Sequence, residues 1–83
     1  MELKETVKLM NSNDYKERFL AEYFQVKIRY DKLKAMVEKW DKRELNFTPT
    51  CPRTIYDTQL QAMEDYLKVL EFRAKIENVN LNI

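Results

Sequence analysis

The fold is decided by residues 15–40, which read YKERFLAEYFQVKIRYDKLKAMVEKW. Large apolar side chains recur here at steps of alternately four and three residues: Phe19, Tyr23, Val26, Tyr30, Leu33, Val37 and Trp40. This spacing keeps one apolar seam on one face of an α-helix, whereas a strand would need strict alternation. No glycine or proline interrupts the stretch. We therefore predict a helix over residues 14–42, about 43 Å long at about 1.5 Å per residue.

A second helix of similar length is predicted for residues 52–78. Its apolar residues repeat with the same rhythm: Tyr56, Leu60, Met63, Leu67, Leu70 and Ala74. Pro52 suits the start of this helix, because proline lacks an N–H that would have no partner there. Two long helices joined by the short loop 43–51 form an antiparallel hairpin.

Matching the two seams in antiparallel order gives specific neighbours. Trp40 should lie near Tyr56 at the loop end, and Phe19 near Ala74 at the open end. In the loop, Leu45 and Phe47 should fold back over the end of the hairpin.

Two short segments flank the hairpin. Residues 1–12 form an N-terminal helical piece that ends in the polar run before Tyr15, where Ser12 or Asn13 can cap the next helix. One continuous helix from Leu3 is the alternative. Residues 79–83 alternate polar and apolar, which indicates an extended tail docked on a neighbouring protomer or a frayed terminus. All 83 residues thus make a single all-α domain.

Composition narrows the function. The chain has no histidine and one cysteine, Cys51, which argues against a zinc site, histidine-based catalysis and a disulfide within the chain. Without a glycine there is no glycine-rich phosphate loop. We expect no enzyme activity, no metal, no cofactor, no membrane span and no binding of long nucleic acid. The cytoplasm is the expected location.

Each helix carries a second apolar row that one hairpin cannot cover. These rows are Leu20, Phe24 and Ile28 on the first helix, and Ala62, Tyr66, Val69 and Ile76 on the second. The first row needs a further partner, either the N-terminal piece or another subunit. We expect a homo-oligomer built from dimers, because closed symmetric assemblies predominate among oligomers.

Two features could hold an anion. Tyr15 lies in the first helical turn beside Lys16 and Arg18, where free backbone N–H groups favour phosphate and the ring could stack on a base. Alternatively, Tyr15 packs on the N-terminal piece. Residues 27–43 hold seven basic and three acidic side chains, which could attract phosphates or form a solvated surface.

The loop and the second helix also carry a resemblance. Residues 45–53 read LNFTPTCPR, residues 59–71 read QLQAMEDYLKVLE and residues 73–77 read RAKIE. With their Cys-Pro-Arg and Gln-x-x-Ala-Met-x-x-Tyr pieces, residues 13–80 resemble small helical proteins of tailed phages and prophages, related to a crAss-like-phage hairpin family. The architecture is similar to the helical hairpin of phage anti-defence sponges, which act against CBASS and Thoeris signalling.

This resemblance implies a function and a set of site residues. Sponges of this kind are small helical homo-oligomers, commonly hexamers, that bind cyclic oligonucleotides or cyclic ADP-ribose-type signals without cleaving them. Their pockets lie between protomers, with an aromatic on the base and basic residues on the phosphates. By that logic the ligand-binding residues here are Tyr15, Arg18, Lys27 and Arg29. The alternative function is a hairpin module that binds a host protein or serves only in structural oligomerisation.

Overall fold

A computed structural model describes residues 1–82, and within them it contains helices and turns but no strand. A short 3-10 turn (Leu3–Glu5) leads into α1 (Thr6–Met10), followed by the long helices α2 (Tyr15–Asp41) and α3 (Arg53–Glu77). The predicted all-α class is confirmed, and the packing of α2 against α3 is consistent with the predicted hairpin. Ile83, the last apolar residue of the predicted tail, lies outside the described residues.

Helix α2 begins after a break, so the chain does not run as one helix from Leu3. The carboxylate of Asp14 accepts a hydrogen bond from the Lys16 backbone N–H at 3.0 Å, which makes Asp14 the N-cap. Ser12 or Asn13 was expected to cap α2, but the Ser12 hydroxyl instead accepts from the Asp14 N–H at 3.0 Å and donates to Glu17.

An arginine clamp joins the two long helices at the loop end of the hairpin. The guanidinium of Arg53 donates from Nε and Nη2 to the two carboxylate oxygens of Asp41, each at 3.0 Å, and from Nη1 to Asp57 at 2.6 Å. Trp40 meets Tyr56 edge-on at 5.8 Å between ring centroids, which confirms the predicted antiparallel pairing.

The connection between the helices differs from the prediction in two ways. Pro52 lies just outside α3 as its N-cap, with extended backbone, so the helix begins at Arg53. Leu45 is half-buried, but the Phe47 ring is exposed and does not cover the end of the hairpin. Arg43 adopts a left-handed conformation with φ of 60°, which ends α2 in a chain that has no glycine for this position.

The core lies at the open end of the hairpin. Its buried members are Phe19, Leu20, Tyr23, Leu67, Leu70, Ala74 and Val79. Further toward the loop the same seam is only half-buried at Val26, Tyr30 and Leu33, and Val37 is buried again. The predicted seam residues therefore face one another, but they bury their side chains most completely at one end.

The N-terminal piece packs on α2. Leu9 packs against the core, and the amide of Gln25 donates to the buried hydroxyl of Thr6 at 3.0 Å. Part of the second row predicted on α3 stays exposed, since Val69 and Ile76 are 55 and 72% exposed. Together with Phe72, which was not in that row and is 71% exposed, they form an apolar surface that we call the α3 row.

Candidate functional site

A cleft of about 590 Å³ opens beside the core, between the two long helices and the C-terminal tail. Helix α2 contributes Tyr23, Phe24 and Lys27, and α3 contributes Glu71, Ala74 and Lys75. The third side is formed by tail residues 79–82. The volume lies within the range of small-molecule sites, which is about 300–1,000 Å³.

The tail reaches the cleft because the chain reverses direction at the end of α3. Asn78 adopts the left-handed conformation with φ of 58°, which asparagine tolerates better than most residues. The Val79 N–H then donates to the Ala74 carbonyl at 2.8 Å, and the Val79 side chain is 8% exposed. Leu81 also packs against the core. The tail therefore docks on its own chain, whereas the sequence favoured a neighbouring protomer.

Tyr23 and Glu71 form the polar floor of the cleft. The Tyr23 hydroxyl donates to Glu71 Oε2 at 3.0 Å. Burial, together with this hydrogen bond to a carboxylate, raises the pKa of Tyr23 to about 12, so its hydroxyl stays protonated at neutral pH. One oxygen of Glu71 is thus occupied by a partner within the chain.

An aromatic ring and two lysines form the walls. Phe24 is half-buried and meets the Tyr23 ring edge-on at 5.2 Å between centroids. Lys27 lies on the α2 wall, with its ammonium 2.9 Å from Asp31, and Lys75 is exposed on the α3 wall. A cleft lined by a ring that can stack on a base and by two cations suits a phosphorylated nucleotide.

Tyr15, the aromatic predicted to hold a ligand, is linked to the end of α3 instead of to the N-terminal piece. Its hydroxyl donates to Glu77 Oε1 at 2.7 Å and accepts from Arg73 Nη2 at 2.9 Å. Arg73 also lies 4.9 Å above the Phe19 ring. The hydrogen bond to Glu77 raises the pKa of Tyr15, and the same bond, together with Arg73, lowers the pKa of Glu77.

The four predicted site residues lie in four different surroundings within one chain. Arg18 donates to the Ser12 carbonyl at 2.8 Å, in the turn before α2. Arg29 lines a separate groove of about 420 Å³ between the middles of α2 and α3, beside residues such as Leu33 and Met63. Only Lys27 lines the cleft beneath the tail. The chain alone does not assemble Tyr15, Arg18, Lys27 and Arg29 into one pocket.

Sequence reasoning missed most of this cleft. Phe24 was assigned to a row that either the N-terminal piece or another subunit would cover, and Lys75 was not assigned to a site. One signal was available, because Phe24 and Lys27 are three residues apart and so share a helix face. The contribution of the tail could not be found this way, since it depends on the chain reversal at Asn78.

Two further classes of feature are lacking in the part of the chain that the structure describes. Residues 1–82 contain no cluster of three His, Cys, Asp or Glu side chains able to hold a metal ion. Across the same residues, no helix is both long enough and apolar enough to cross a lipid bilayer.

Comparison with known proteins yields one match. No curated protein and no solved structure matches the chain. The sequence pattern of the family described as Sequestin does match, over residues 13–76. This segment begins just before α2, contains the loop and its arginine clamp, and ends one residue before the end of α3. Because the match spans more than three quarters of the 83 residues, the chain belongs to the Sequestin family.

Proposed function

We propose that this protein sequesters a small nucleotide-derived immune signal, of the cyclic oligonucleotide or cyclic ADP-ribose type, and releases it unchanged. It acts as a phage anti-defence sponge in the cytoplasm of the host cell. The family name indicates sequestration of a signal molecule. The observation that carries the proposal is the cleft beneath the tail, which Phe24, Lys27 and Lys75 line together.

The chemistry of the cleft supports binding without cleavage. Aromatic rings hold bases by stacking, and lysines attract phosphate as mobile point charges. Breaking a phosphodiester or glycosidic bond would need an acid–base group or a nucleophile in place. The chain has no histidine, and the cleft carboxylate of Glu71 already accepts a hydrogen bond from the Tyr23 hydroxyl.

The charge balance predicts salt-sensitive binding. Glu71 and Asp31, the partner of Lys27, offset the positive charge of Lys27 and Lys75. A single cleft therefore carries little net positive charge. Attraction between exposed charges is screened beyond about 10 Å at 0.1 M salt. Affinity should therefore fall as salt rises, and stacking on Phe24 should account for the part that remains.

A ligand panel tests this function. The wild-type protein is mixed with cyclic di- and trinucleotides and cyclic ADP-ribose isomers at about 100 µM, and its Tm is measured. A micromolar binder at that concentration should add about 2.7 kcal/mol to the free energy of unfolding. Chromatography of the released ligand should recover it chemically unchanged. If the Tm shifts with no member of the panel, the sponge function is wrong.

Two cleft variants link any binding to the cleft. Lys75→Gln removes an exposed charge, and Phe24→Leu removes the stacking surface while keeping an apolar side chain. Phe24→Leu should weaken binding about fivefold or more, since base stacking is worth about 1–3 kcal/mol. Lys75→Gln should also weaken binding, because it removes an attraction for phosphate. Lys39→Gln, an exposed lysine at the opposite end of α2, is the matched control and should bind like the wild type.

We also propose that copies of this chain meet through the α3 row and form a homo-oligomer built from dimers, up to a hexamer. Val69, Phe72 and Ile76 form an apolar surface at helical spacing that stays exposed among the described residues 1–82. A pocket between protomers could then bring together Tyr15, Arg18, Lys27 and Arg29 from different copies. Light scattering that reports a monomer at micromolar concentration would contradict the assembly.

The α3 row also favours a second candidate function, a module that binds a host protein. Exposed apolar surfaces bordered by polar residues often mark protein-binding sites. In this case Phe72→Glu should abolish capture of the host protein, and no ligand of the panel should shift the Tm. The panel therefore separates the two functions.

A further inference from the structure

We propose that Asn80 is a specificity-determining residue that makes the cleft select adenine over guanine. The inference rests on the proposed nucleotide-binding function and adds the identity of the base. It follows from the position of the Asn80 amide at the cleft and from the chemistry that a side-chain amide can read.

The Asn80 amide is held in place by its own backbone. Its Oδ1 accepts a hydrogen bond from the Asn82 N–H at 2.9 Å, which orients the amide and directs Nδ2 as a donor. The tail is anchored on both sides of Asn80, by the buried Val79 before it and by Leu81 after it. A recognition group that is already oriented loses less entropy when a ligand binds.

An amide edge matches adenine and mismatches guanine. Nδ2 can donate to adenine N7 while the second lone pair of Oδ1 accepts from the N6 amino group. Guanine presents two acceptors on that edge, O6 and N7, which leaves the amide oxygen facing an acceptor. On its other edge guanine presents the N1–H and N2 donors, which call for a carboxylate. The cleft carboxylate, Glu71, accepts from Tyr23 through Oε2, which occupies one of the two oxygens that such a pairing uses.

The tail lies outside the segment that matches the family, which ends at residue 76. The lysines and Phe24 lie within that segment, so phosphate binding and stacking belong to the matched part of the chain. Base selection then depends on the tail, which follows the matched segment. Substitutions in the tail can therefore alter base selection separately from ligand capture.

The substitution Asn80→Asp tests this inference. Aspartate keeps the oxygen that accepts from the Asn82 N–H, so the tail retains its turn, but it exchanges the donor for an acceptor. Asn80→Ala, which removes the whole amide, is the second variant. Asn46→Asp, an exposed loop position at the opposite end of the hairpin, controls for the added charge. The probes are cyclic di-AMP against cyclic di-GMP, and ADP-ribose against GDP-ribose, measured by calorimetry.

The readout is the ratio of the guanine-probe Kd to the adenine-probe Kd within each pair. For the wild type it should be about 5 to 150, the discrimination of one bidentate amide contact. Asn80→Ala should bring it close to one and Asn80→Asp should lower it below one, while Asn46→Asp leaves it unchanged. A charge effect alone would weaken the binding of both probes equally.

A wild-type ratio at or below one, or a ratio that Asn80→Asp leaves unchanged, overturns the inference while the function stands. Binding of some member of the ligand panel but of neither adenine probe also overturns the inference. If no member of the panel binds, the proposed function fails and the inference with it.

Discussion

Leu70 is the side chain whose truncation should destabilise this protein most clearly. It has 0% exposure and lies within the core cluster at the open end of the hairpin, beside the cleft. Leu33 is the matched comparison. It belongs to the facing seam predicted on the first helix, but it is only half-buried and lines the groove nearer the loop.

The expected magnitudes follow from burial. Leu70→Ala should lower the free energy of unfolding by about 2–5 kcal/mol, the cost of a buried leucine truncation. This is a large share of the about 5–15 kcal/mol that small domains have in total. At about 4–8 °C for each kcal/mol, the Tm should fall by at least about 8 °C. Leu33→Ala removes a side chain that is already partly solvated, so about half that loss is expected.

Urea unfolding followed by circular dichroism measures both losses, and repeating it over a tenfold range of protein concentration separates the core from the assembly. If the core lies where the structure places it, Leu70→Ala costs at least twice as much as Leu33→Ala at low concentration. Equal losses there would refute the reasoning. A Leu33→Ala loss that grows with concentration would show that another copy covers the groove.

Three further predictions concern ionisation and assembly. The pKa of Tyr23 is raised from 10.0 to about 12, so the stability it contributes should be complete below about pH 10 and lost between pH 10 and 12; Tyr23→Phe should make unfolding in urea less sensitive to pH across that range. The pKa of Glu77 is lowered from 4.5, chiefly by the hydrogen bond from Tyr15, so its contribution should be present above pH 4.5 and disappear as the pH falls further; Glu77→Gln should remove that acid-dependent part of a Tm profile. Phe72→Glu places a charge in the α3 row and should reduce the assembly to monomers in light scattering, with the monomer helicity unchanged.

The fold could be read from the sequence because its signals are local and repeated. The four–three spacing through Phe19 and Trp40 specifies a helix and its buried face, and an equal seam on α3 specifies the partner. The edge-on contact of Trp40 with Tyr56 followed from that pairing. The unequal burial along the seam did not follow. It depends on α1 and the tail adding cover at one end only, which no periodicity within α2 or α3 reveals.

The site was much less predictable, because it is built from separate parts of the chain. Tyr15 and Arg18 lie in the first turn of α2, and the sequence pattern predicted a site only at that helix end. The partner of Tyr15 is Glu77, 62 residues away, and the cleft needs the left-handed Asn78 to direct the tail back toward Phe24. Only Lys27 of the predicted set lines the cleft. Long-range contacts of this kind depend on how the helix ends are placed in space. The spacing of residues within one helix does not reveal that placement.

The central claim is that the cleft beneath the tail holds the ligand, and chemical-shift mapping tests it most directly. The ¹⁵N-labelled protein is titrated with the ligand of the panel that stabilises it most. We predict that the largest shifts occur at Phe24, Lys75 and the Asn80 side-chain amide, which line the cleft from three separate elements. Largest shifts at Tyr15 and Arg18, or along the α3 row, with the cleft resonances unmoved, would contradict the account.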